Sequence, residues 1–155
     1  MNVSPNPPWG RGKASPFAIA LPARAGLVAV GVVLVGTLAA AAVLSPAERG
    51  YGTHRQLGLP PCSFMTLTGW RCPSCGMTTA WAHLMRGNVA QAAASNMGGL
   101  ALGIVAAGVG PWALVSGVRG KWAWGRPRES LAVLLTAGVV TITLVDWAIR
   151  LYISR

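Results

Sequence analysis

Three cysteines carry whatever thiol or metal chemistry this chain has. Cys62, Cys72 and Cys75 all lie in the run PCSFMTLTGWRCPSCGMTTA, residues 61–80. A thiolate is both a soft metal ligand and the nucleophile of disulfide exchange. Cys72-Pro73-Ser74-Cys75-Gly76 has the form of a tight knuckle, with proline fixing one turn residue and Gly76 free to adopt a left-handed conformation. If a helix starts at Gly76, its amides and dipole would lower the Cys75 thiol pKa. Three readings fit. A metal site would use Cys62, Cys72 and Cys75, with zinc the natural ion, but zinc usually takes four ligands. His83 lies about 12 Å along a helix from Cys75, too far to share an ion. His54, in a loop, is the better fourth candidate. A redox C-x-x-C would use Cys72 as the attacking thiol and Cys75 to resolve. A structural site would hold one disulfide and a buried spare thiol.

The rest of the chain says where these residues sit. Of 155 residues, 53% are hydrophobic and 10% charged, where soluble domains carry about a quarter charged residues. That excludes an ordinary soluble globule and a disordered chain alike. The formal charge of +10 is spread thinly, with no dense basic run, aromatic ladder or zinc-finger spacing, so no nucleic-acid partner is expected. The expected partners are the lipid bilayer and a membrane protein.

Residues 1–24 hold five prolines and read as a disordered basic tail carrying Arg11, Lys13 and Arg24. Residues 25–155 read as one membrane domain. Its spans are expected at about 25–44, 96–118 and 131–149, each uncharged apart from Asp146 and long enough for a hydrocarbon core of about 30 Å. The first is expected to be a retained anchor, since a signal-peptide core is shorter. Pro111 falls inside the second span, where proline is tolerated. Between the spans lies a cysteine-motif cap, 45–95, too rich in proline and glycine to face lipid. Within it, 76–86 reads as a short interfacial helix with Met77, Ala80, Trp81, Leu84 and Met85 on its apolar face and Thr79, His83 and Arg86 opposite. Asn88 and Gln91 resemble a capping box for a further helix. The fold class is therefore all-α: a small polytopic helical membrane protein with three transmembrane helices, a short interfacial helix and a cysteine-bearing loop.

Charge sets the orientation. The loop at 119–129 has four basic residues in eleven, and the 45–96 segment four in 52. The positive-inside rule then places the N-terminus and the tight loop in the cytoplasm, and the cap and C-terminus outside a bacterial inner membrane. Trp122, Trp124 and Trp147 read as interfacial anchors. Asp146 and Arg150, spaced i, i+4, are expected to pair structurally at the outer boundary of the third span.

The run from Cys62 through Thr-Gly to Cys72-Pro-Ser-Cys75-Gly, followed by HLMRGNV at 83–89 and Asn96, resembles a bacterial family catalogued as domain of unknown function 2752. The resemblance covers about residues 60–97. It implies a small membrane protein and no established activity. The sequence departs from the family pattern at Thr79, where arginine is usual, and at Met97, where proline is usual. No catalytic triad, carboxylate pair or phosphate loop is present, and Glu48, Glu129 and Asp146 are the only acids. The reading is an accessory or interaction component, not an enzyme, with a cysteine-stabilised extramembrane cap and no required cofactor. A thiol–disulfide oxidoreductase using Cys72 and Cys75, or a metal-binding module, is the alternative.

Overall fold

The computed structural model describes residues 18–153; the greater part of the expected basic tail lies outside them. Six α-helices follow in order: α1 Leu21–Val43, α2 Ser63–Thr68, α3 Met77–Leu84, α4 Val89–Ser95, α5 Met97–Arg119 and α6 Glu129–Ile153. A 3₁₀ turn occupies Thr53–Leu57, and the described residues form no β-strand. Helices α1, α5 and α6 are long and apolar enough to cross a membrane, as the composition requires.

Helix α1 starts at Leu21, earlier than the sequence suggests. Pro22 stands in its first turn, where the missing N–H would have had no helical partner and the fixed φ suits the helix. Arg24 is therefore not part of a tail. Its Nε donates to Gly117 O at 3.1 Å and its guanidinium to Val118 O at 3.1 Å, so a cation caps the free carbonyls at the end of α5. Ile19 N donates to Gly120 O at 3.0 Å, which ties the start of α1 to the loop after α5. The cap lies at the opposite end of the bundle.

Small residues let α5 pack closely. Gly99, Gly103, Ala106, Gly110, Ala113 and Gly117 are all buried, and their alternating four–three spacing keeps them in one stripe along the helix. A Cβ on Gly117 would meet Val28 at 2.8 Å, and one on Gly110 would meet Val35 at 3.1 Å. Across the seam, a Cβ on Gly31 would meet the backbone N of Leu114 at 2.7 Å. This is the close backbone approach by which helices associate in lipid. Gly26 and Gly36 face open space. Gly31→Ala should therefore destabilise the α1–α5 pair by about 1–3 kcal/mol through overpacking. Gly36→Ala should stabilise it by about 0.5–1 kcal/mol through helix propensity alone. Unfolding titrations in detergent check both signs.

In the cap, α3 packs against α1, α4, α5 and the 3₁₀ turn. Ala80, Ala92 and Leu100 form its small core, with Leu84 and Ala93 packed on them. The polar side of α3 is not a solvent face as its pattern suggests. Thr79 is fully buried and its hydroxyl meets that of Thr53 at 2.8 Å. The 3₁₀ turn covers that side, and a paired hydroxyl tolerates burial that a lone one does not.

Candidate functional site: the cysteine knuckle

The knuckle is a turn closed by Cys75 N donating to Cys72 O at 3.0 Å, running into α3 through Met77 N donating to Ser74 O at 3.1 Å. Gly76 has φ +96°, and a Cβ there would meet Ser95 O at 2.5 Å and Gly50 O at 2.8 Å. Only glycine satisfies both the conformation and the space. The expected left-handed glycine is thus present, and two neighbouring chain segments press on it.

Asn96 holds the knuckle to the membrane helix. It is 2% exposed, and its Nδ2 donates to Pro73 O and Cys75 O, both at 3.0 Å. Its Oδ1 accepts from Gly99 N at 2.6 Å, capping the start of α5. One buried amide therefore satisfies two turn carbonyls and one helix-end N–H. Trp81 adds a second tie, donating from Nε1 to Gly99 O at 2.7 Å.

Helix α6 clamps the same region. Asp146 and Arg150 form an ion pair at 2.9 Å, as their spacing suggests, but each also serves the α4–α5 junction. Arg150 donates to Ser95 O at 2.7 Å and Ala94 O at 3.1 Å, at the end of α4. Asp146 accepts from Met97 N at 3.3 Å, at the start of α5. The cation thus sits at a helix C-terminus and the anion at an N-terminus, each matched to the local dipole. Trp147, expected only as an interfacial anchor, donates from Nε1 to Arg71 O at 2.7 Å, one residue from Cys72.

Within this frame all three cysteines are free thiols, each partly buried. Their sulfurs lie within 4.8 Å of one another, with Cys62 to Cys72 at 3.5 Å and Cys72 to Cys75 at 3.0 Å. Cys62 belongs to the cluster although it lies ten positions before Cys72. Burial works against the Cys72 thiolate, but hydrogen bonds from Ser74, Cys75 and Cys62 outweigh it and bring the thiol below its ordinary pKa. Burial and then the competing Cys72 sulfur push Cys75 up to about 12. The helix-start effect expected to lower Cys75 therefore does not prevail, because burial and the adjacent Cys72 sulfur outweigh it.

The cysteines line a cavity of about 460 Å³ together with Arg49, Tyr51, His54 and Arg55. Arg49 and Arg71 stand over the Tyr51 ring at 5.0 and 4.3 Å from its centroid, a cation–π arrangement. His54 shares the cavity but is outside the sulfur cluster, and its Nε2 lies 3.2 Å from Pro60 O. His83 is likewise outside the cluster.

Chemically, three convergent sulfurs, with the Cys72 thiol held below its ordinary pKa, suit a soft metal ion or thiol exchange. The three cysteines could hold a metal such as zinc. No curated protein and no solved structure matches this chain. Residues 62–110, from the first cysteine of the cluster into the middle of α5, match the family model described as protein of unknown function (DUF2752), the family that the cysteine run resembles.

Proposed function

We propose that the protein is a non-catalytic, metal-binding membrane module, in which Cys62, Cys72 and Cys75 hold one zinc ion in the cap. The observation that carries this reading is the gathering of all three sulfurs within 4.8 Å, since a structural disulfide needs two and leaves the third without a task. Three thiolates leave a tetrahedral ion one ligand short, and the cavity beside them has room for water or a partner's donor group. Three thiolates and one divalent cation sum to a single negative charge, which the arginines of the cavity wall offset. The ties through Asn96, Trp81, Asp146 and Arg150 preorganise the ligands, as outer groups do around metal sites. The cap would face outward and the N-terminus the cytoplasm of a bacterial inner membrane, by the charge asymmetry of the loops.

Purified full-length protein should carry close to one zinc per chain, and its thiols should resist alkylation until a chelator is added. Each of Cys62→Ser, Cys72→Ser and Cys75→Ser should lose most of the metal. Binding must displace the proton that Cys75 holds up to about 12, so affinity should rise with pH. Metal-free protein with freely reactive thiols after purification without chelator would overturn the reading.

One observation favours a second reading: the split between a lowered Cys72 and a raised Cys75 is what a redox pair needs. The Cys72 thiolate would attack a partner's disulfide, releasing one partner thiolate and forming a mixed disulfide. Cys75, losing its proton, would then attack Cys72 and release the second thiolate. The partner is reduced and the knuckle oxidised. Cys75→Ser would trap the mixed disulfide under this reading and nothing under the first.

A further inference from the structure

Helices α5 and α6 pack closely at the cap end. There a Cβ on Gly98 would run into Thr143, and Asp146 and Arg150 reach across the junction. Toward the other end the helices part. Every residue from Leu131 to Gly138 is exposed, and a cleft of about 820 Å³ opens between Val105–Trp112 of α5 and Leu131–Thr136 of α6. Its walls are apolar, while its mouth carries Arg126 and Arg128, neither paired with a carboxylate among the described residues. Trp124, 81% exposed, stands beside them.

We infer that this cleft is a binding site for an anionic phospholipid, with one acyl chain between α5 and α6 and the phosphate on Arg126 and Arg128. Within the bilayer, two apolar helix faces and a void leave lining atoms without contacts, which an acyl chain restores. Two unpaired guanidiniums at the mouth complement a headgroup phosphate in charge and in fork geometry. A second copy of the chain is a poorer occupant: it would bring the same loop, four basic residues against the single acid Glu129, so like charge would face like charge. The site is independent of the cysteine cluster and lies at the other end of the bundle.

The test is native mass spectrometry of the full-length protein in detergent, titrated with phosphatidylglycerol and with phosphatidylcholine of the same chains. The wild type should retain one phosphatidylglycerol, at least about tenfold in preference to phosphatidylcholine, since each basic group near a membrane surface adds about fivefold. The Arg126→Gln/Arg128→Gln double variant should bring phosphatidylglycerol down to the level of phosphatidylcholine. Gly108 lines the cleft, and a Cβ there meets nothing within 4 Å. Gly108→Leu should therefore fill the cleft without disturbing the helices and reduce retention of both lipids. A wild type without preference, a double variant that keeps it, or a Gly108-dependent dimer that excludes lipid would each overturn the assignment.

Discussion

Asn96→Ala should release the cysteine knuckle from the membrane helices while leaving the three spans in place. The substitution strands two turn carbonyls and the Gly99 N–H at a site only 2% exposed. Buried unsatisfied groups cost about 1–3 kcal/mol each. Partial relaxation and entry of water should leave a net loss of roughly 3 kcal/mol in cap stability. Because Asn96 also positions the turn that carries two of the three sulfurs, metal affinity should fall by about 10–100-fold, the usual consequence of losing an outer support. Competition with a calibrated chelator reads the affinity, and alkylation of Cys72 and Cys75 reads the opening. Asn96→Asp separates the roles. The carboxylate still accepts from Gly99 N but cannot donate to Pro73 O and Cys75 O, so helix capping should survive while the knuckle loosens.

The second large effect belongs to Arg150. Arg150→Gln removes the cap from the α4 carbonyls and leaves Asp146 without its cation. The side chains of the pair are 23% and 19% exposed, between an exposed pair worth under 1 kcal/mol and a buried one costing 3–5 kcal/mol when broken. A loss of about 2 kcal/mol is expected. Asp146→Asn should cost less, since the amide oxygen still accepts from Met97 N. The double variant should lose less than the sum of the singles, because no isolated charge remains. Additive losses in the unfolding cycle would show that each residue acts on its own helix end and that their pairing contributes nothing. Arg150→Lys should rescue little, as one ammonium does not span Ser95 O and Ala94 O together.

Much of the architecture was legible because lipid imposes simple demands. Three uncharged runs became α1, α5 and α6, and the proline- and glycine-rich stretch between the first two became the cap. Boundaries moved where a local rule had an exception: Pro22 suits the first turn of a helix although proline breaks the middle of one. The α1–α5 seam was hidden in plain composition. Gly26, Gly31 and Gly36 drew attention on α1, yet only Gly31 is pressed by its neighbour, and the α5 stripe, which meets α3 at Gly99 and Gly103 and α1 at Gly110 and Gly117, shows itself only when its four–three spacing is counted. Long-range partners were beyond reach. Nothing local links Arg24 to Gly117, Trp147 to Arg71 or Thr79 to Thr53, and each bond joins segments at least 26 residues apart.

The site divides the same way. Cysteine spacing identified Cys72 and Cys75 as one turn, since four residues define their geometry. The convergence of Cys62 on that turn is a tertiary fact, as is the role of Asn96. The sign of the Cys75 shift reversed because the helix start was visible in sequence while the burial of the thiol and its neighbouring sulfurs were not.

The proposed centre consists of three protein thiolates converging on one zinc ion. X-ray absorption at the zinc edge of the full-length protein tests it most directly. Three sulfur scatterers at about 2.3 Å and one lighter ligand are expected, with sulfur falling to two in Cys62→Ser. A shell of nitrogen and oxygen alone, or a sulfur count unchanged by Cys62→Ser, would contradict it.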